Sequence, residues 1–177
     1  MPDDVSDVWT LLERVGLRRP AAGPEAIGSL DTLANPPATD ALAALLVSNV
    51  EVLAPDLVVV WDGLHNVVLG YAVGLHLAAQ VVVLSDDEGL VISATPTRQG
   101  QRAVLVSATM PEAASVRMAA SYLESQNLML VGTATLVSRV GGDQTIALAE
   151  LPAADAESGE LARQKPTPHQ PRRQDGR

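Results

Sequence analysis

Ala103-Val-Leu-Val-Ser-Ala-Thr-Met-Pro-Glu-Ala-Ala-Ser-Val116 is the stretch on which the reading of this chain turns. Ala103 to Val106 predict a short buried strand. Ser115 is a good N-cap residue, and Val116, Ala119, Ala120 and Leu123 then recur at helical spacing. A strand feeding a loop that ends at a helix N-terminus is a common way to hold a phosphate. Unpaired amides and the helix dipole converge there.

Upstream, Asp56-Leu-Val-Val-Val-Trp61 is a continuous apolar run, as expected of a parallel strand covered on both faces. Asp62-Gly-Leu-His-Asn66 follows as a turn. Val67 to Ala79, built of small and apolar residues, predicts a helix, and Val81-Val-Val-Leu84 the next strand. Downstream, Leu128 to Arg139 predicts a further strand, and Gln144 to Ala149 a last one after a Gly141-Gly142 turn. The order is that of an α/β domain.

The chain from about residue 38 to 140 resembles the type I phosphoribosyltransferases, the orotate and adenine enzymes among them. Their signature is a hydrophobic strand, two acidic residues, and a Thr-Thr-Gly-x-Thr/Ser loop opening a helix. Here Ser107 and Ala108 take the places of the two acids. Pro111, Glu112 and Ala113 take those of Thr-Thr-Gly, and Ser115 matches the final hydroxyl. The resemblance implies a three-layer parallel sheet flanked by helices. It makes Ser107, Ala108, Thr109, Glu112, Ala113, Ala114 and Ser115 the candidate ligand-binding positions of the family's phosphate loop, and Asp62, Gly63, Leu64, His65 and Asn66 the equivalent of its pyrophosphate loop. It also implies a small N-terminal hood over the base site. Residues 17–37 lack strand alternation, so a reduced hood is expected.

Composition sets bounds. At 177 residues there is room for one domain with a real core. Aromatics are only 2% of the chain and Phe is absent, so Val, Leu and Ala must build that core. With no Cys, disulfides, thiol catalysis and thiolate metal sites are excluded. His65, His76 and His169 are far apart in sequence, so no metal-ligand cluster is expected and no cofactor is assigned. No apolar run is long enough to span a membrane and no basic-then-apolar leader opens the chain, which predicts a soluble, cytoplasmic protein without a membrane partner.

Charge weighs against the family's usual ligand. The net charge is −9, and the segment from Pro152 onward holds five bases against four acids, which leaves the body near −10. The body contains no Lys, and its bases are Arg14, Arg18, Arg19, Arg98, Arg102, Arg117 and Arg139. Family members that use phosphoribosyl pyrophosphate typically bring Lys and Arg to it from a mobile loop. The corresponding segment, Ser85 to Arg98, opens here with Asp86-Asp-Glu88. Like charges about 4 Å apart repel by ~1 kcal/mol in water and ~4 kcal/mol at an effective dielectric of 20. Nucleic acid is disfavoured as a partner for the same reason.

Three parts are expected: an N-terminal helix and hood-like loop (1–37), an α/β core (38–151) and a disordered tail (152–177). Val5, Val8, Trp9, Leu12 and Val15 form the stripe of the first helix, and Thr39 or Asp40 is expected to cap a second that runs to about Val52.

Each marked residue has a plain reading beside the functional one. Ser107 and Ala108 suit a strand end that only has to be small. Glu112 suits a solvated first-turn charge, since a carboxylate at the 5′-phosphate position repels the ligand. Asp86-Asp-Glu88 reads as a solvated turn, and Asp62 with His65 lacks the nucleophile that acid–base chemistry would need.

The expected function is therefore a catalytically degenerate phosphoribosyltransferase-like protein with a regulatory, ligand-binding or scaffolding role. Its ligand would be a small molecule of nucleotide type, and its assembly a homodimer. The alternative is an active transferase with an atypical site, in which case Mg²⁺ enters. An unrelated nucleotide binder is disfavoured because no G-x-G-x-x-G or P-loop occurs.

Overall fold

The structure, a computed structural model, describes residues 4–17, 30–139 and 145–151. The elements in order are α1 (Asp4–Arg14), α2 (Pro36–Val50), β1 (Leu57–Trp61), α3 (Leu64–Leu77), β2 (Gln80–Asp87), β3 (Leu90–Ile92), β4 (Arg102–Thr109), α4 (Ala113–Ser125), β5 (Met129–Arg139) and β6 (Thr145–Leu151). A single 3₁₀ turn, Glu51–Leu53, follows α2. The six strands form one sheet in the order β3-β2-β1-β4-β5-β6. All neighbours run parallel except β3, which pairs antiparallel with β2.

The apolar runs explain the layering. Leu57, Val58, Val59 and Val60 are all fully buried, because both faces of β1 are covered. Val58, Val60, Val104 and Val106 face a core closed by Leu12 of α1, Leu42 and Leu46 of α2, and Leu69 and Val73 of α3. Leu57, Val59, Val82, Leu84 and Leu105 face the opposite side, against Ala119 and Leu123 of α4. Burying one such Val or Leu contributes about 1.5–3 kcal/mol. This is the three-layer α/β arrangement expected from the sequence.

Helix starts differ from expectation. Asn35, not Thr39 or Asp40, caps α2: its side chain accepts the Ala38 N–H, and Pro36 and Pro37 occupy the first two helical positions. Proline fits there because those N–H groups have no helical partner anyway. Thr39 is buried instead, and its hydroxyl donates to the Thr32 carbonyl at 2.7 Å. Ser115 does not cap α4, because the helix opens three residues earlier than expected, with Glu112 at the N-cap and Ser115 inside the first turn. The turn expected at Asp62–Asn66 is shorter too: α3 begins at Leu64, with Gly63 as N-cap at φ 150, a backbone angle that favours glycine.

The acidic run Asp86-Asp-Glu88 is not a loop that opens after Leu84. β2 continues through Asp87 and turns back at Glu88 and Gly89, both at positive φ, into β3. Asp86 Oδ1 accepts the Gly89 N–H at 2.7 Å and closes this tight hairpin. Residues 18–29, most of the expected hood, lie outside the described residues, as do the Gly141-Gly142 turn and the 152–177 tail. Among the described residues no helix is long and apolar enough to cross a membrane.

Candidate functional site

β2 and β4 lie on either side of β1, so the chain leaves β1 in one direction and returns on the other side. This is the switch point at which open α/β sheets bind ligands, beyond the carboxyl ends of the strands. Two connections meet there: the β1–α3 turn, which carries Asp62 to Asn66, and the β4–α4 loop, which carries Thr109 to Glu112. The two candidate stretches marked in the sequence are therefore neighbours in space.

Their contact is made by Asn66. The β1–β4 ladder ends at Val59 paired with Leu105, while β4 runs on to Thr109. Asn66, from the first turn of α3, reaches across this gap: its Oδ1 accepts the Ala108 N–H at 3.0 Å and the Ser107 hydroxyl at 3.3 Å. Ser107 and Ala108 are buried residues and the two bonds are part-buried, so Asn66 satisfies donors with little access to water. Leaving such a donor unpaired costs about 1–3 kcal/mol.

A second tie holds the same turn. Thr32 is fully buried, and its hydroxyl donates to the His65 carbonyl at 3.1 Å. The Thr32 carbonyl in turn accepts the Thr39 hydroxyl. Asp31 lies 3.7 Å from His65 Nδ1, both side chains being about half exposed, so this pair adds little. Sequence reading missed Asp31 and Thr32, and gave Thr39 a capping role instead of this one. The one local signal is Asp31 itself, whose carboxylate accepts the Leu33 N–H and shapes a turn before α2.

The remaining candidates are placed as follows. Asp62 is exposed and accepts a long bond from the Ser85 hydroxyl at 3.5 Å. Gly63 and Leu64 begin α3, with the Leu64 side chain largely exposed. Thr109 and Glu112 are exposed, as are Ala113 and Ala114 at the start of α4, and no side chain caps that helix. Asp86, Asp87 and Glu88 are exposed on the hairpin.

Of the described cations, Arg139 ends β5 beside the carboxyl end of β4, and the others sit elsewhere. Arg102 is at the amino end of β4, where its guanidinium donates to the Leu53 carbonyl and its backbone N–H to Asp56. Arg98 lies on the connection that enters β4, Arg14 ends α1, and Arg117 is an exposed residue of α4. Among the described residues no three His, Asp or Glu side chains come together to hold a metal ion. The arrangement can offer hydrogen bonds to a polar ligand.

The architecture has close counterparts. The adenine phosphoribosyltransferase of Thermoanaerobacter pseudethanolicus superposes with a TM-score of 0.63 over 81% of this chain and 99% of that one, at 15% identity. The fold is that of the type I phosphoribosyltransferases. The orotate phosphoribosyltransferase of Mycobacterium tuberculosis, solved in complex with inorganic phosphate, is similar with a TM-score of 0.61 at 15% identity, over 83% of this chain and 95% of that one. A hypothetical protein from Neisseria gonorrhoeae with bound ppGpp is similar with a TM-score of 0.51 at 11% identity, over 65% and 80% of the two chains. No protein-family model and no curated protein sequence matches the chain. Identities this low establish the phosphoribosyltransferase fold and leave its chemistry to be argued from the side chains.

Proposed function

We propose that this protein is a phosphoribosyltransferase-like binding protein without transferase activity, with a regulatory or scaffolding role. One observation carries the reading. At the end of β4, where the resemblance expects two carboxylates for the ribose hydroxyls, Ser107 and Ala108 are buried and already bonded to Asn66. A carboxylate pair near an oxocarbenium-like transition state stabilises developing positive charge. Neither buried residue can do so.

The surroundings support the same reading. Glu112 stands at the N-cap of α4, where the family's phosphate loop leads, and Arg14, Arg98 and Arg102 lie on other elements and connections. The ligand is of nucleotide type, a class consistent with the inorganic phosphate and ppGpp bound in two similar structures. A cytoplasmic homodimer built on core residues 38–151 completes the proposal. The exposed Leu64, Tyr71 and Leu75, which share one side of α3, are a surface such a dimer would use.

The alternative, an active transferase, rests on the exposed Asp62, Asp86 and Glu112 replacing the lost pair, with Mg²⁺ carried in on the pyrophosphate. Calorimetric titration with phosphoribosyl pyrophosphate, with and without Mg²⁺, separates the two. No heat up to millimolar ligand is the expected result. Micromolar, Mg²⁺-dependent binding would overturn the proposal and call for a screen of nucleobase substrates.

A further inference from the structure

We propose that Asn66 is a latch: its carboxamide acts as an internal ligand of the Ser107–Ala108 donor pair and keeps the crevice at the switch point closed until an external acceptor replaces it. The inference deepens the binding role proposed above and rests on it. It stands on three features. The two donors converge on one oxygen, at 3.0 and 3.3 Å, as donors do around a bound oxyanion or carbonyl. Both belong to buried residues, so they favour an acceptor, and the bonds themselves are only part-buried, so one from outside can reach them. And the acceptor is a side chain, able to swing on its own torsions, rather than the neighbouring strand: β1 no longer pairs with β4 at this level.

These features define what displaces the latch. The incoming group must present an acceptor oxygen, since both protein groups donate, and it must be small enough to enter between the β1–α3 turn and β4. A phosphate or carboxylate oxygen meets both conditions. The second tie, from Thr32 to the His65 carbonyl, holds the backbone of the α3 turn while the Asn66 side chain moves. Opening is thus confined to one side chain.

The test compares wild-type protein with Asn66→Ala and Asn66→Asp, using inorganic phosphate as probe. A latch closed in nine molecules of ten or more lowers apparent affinity at least about tenfold. Asn66→Ala is therefore expected to bind phosphate at least ten times more tightly than wild type. Asn66→Asp, which keeps the acceptor and adds a repelling charge, is expected to bind no better than wild type. Equal phosphate affinity in wild type and Asn66→Ala would overturn the proposal, as would a gain in Asn66→Asp matching that in Asn66→Ala.

Should Asn66→Ala not fold, amide exchange on the wild-type protein decides. A latch that opens locally lets the Ala108 amide exchange at least about tenfold faster than that of Val106 in the same strand. Exchange of both at one rate would mean that the contact opens only with the sheet, and would overturn it. Neither readout involves turnover. Transferase activity in the wild-type protein would remove the binding-protein reading while leaving the latch to be judged on these measurements alone.

Discussion

Gly70 of α3 lies so close to Val60 of β1 that a β-carbon at Gly70 would collide with Val60 Cγ1. Val60 is fully buried, so it has no room to retreat. The contact sets how low α3 sits on the sheet, and hence where Asn66 reaches β4. Gly70→Ala gains about 1 kcal/mol of helix propensity. Overpacking costs roughly 1–3 kcal/mol and outweighs it. We expect a net loss of stability by urea denaturation, with part of it recovered in the Gly70→Ala, Val60→Ala double variant. Full stability in Gly70→Ala would show that α3 can lift without penalty.

Thr39 offers a cleaner subtraction. Its hydroxyl donates to the Thr32 carbonyl at 2.7 Å inside the protein, and Thr32 passes the connection on to His65. Thr39→Val keeps the shape and strands a buried acceptor, at a cost of about 1–3 kcal/mol. Thr39→Ser retains the hydroxyl and should lose less. Equal midpoints for the two variants in chemical denaturation would dismiss the hydrogen bond as a source of stability.

Asn35 tests the start of α2. Asn35→Ala removes the acceptor for the Ala38 N–H and is expected to lower stability by roughly 0.5–2 kcal/mol. Asn35→Asp should be tolerated, because an anion suits a helix N-terminus. Thermal unfolding followed by circular dichroism measures both. A drop as large in Asn35→Asp as in Asn35→Ala would contradict the capping role.

His76 and Asp40 supply the contrast. They bridge α3 and α2 at 2.9 Å, but Asp40 is well exposed. Exposed ion pairs are worth about 0–1 kcal/mol. Asp40→Asn should therefore move the unfolding midpoint less than Thr39→Val, although its hydrogen bond is nearly as short. A larger effect would mean that the pair clamps the two helices.

The parallel strands were legible because their signals are strong, whereas β3, three residues behind an acidic turn, was read as part of a loop. Leu57 to Val60 can be little else than a strand buried on both faces, and Ala103 to Val106 repeats the pattern. Helix starts were misread where two good signals compete. Thr39 and Asp40 are both capable caps, and Pro36-Pro37 reads equally as a breaker, yet burial claims Thr39 for another bond. Ser115 misled in the same way, since α4 starts at an uncapped Glu112. The site was half legible. Both of its stretches were marked, but the bond that joins them links Asn66 to Ala108, 42 positions apart, and no local pattern encodes it.

The β1–β4 seam also has a kinetic meaning. Leu57 pairs with Ala103, and everything from α3 through β3 lies between them in the chain. Closing so long a loop precedes any reward from the pairing, which makes this step slow relative to the β2–β3 hairpin. Asn66 and Ala108 fall on opposite sides of that closure. The crevice therefore cannot exist in a partly folded chain that has built only its first strands. A nick in the connection between Ile92 and Arg102 would leave one half of the crevice on each fragment, so that reassociation of the pieces and recovery of the site become the same event.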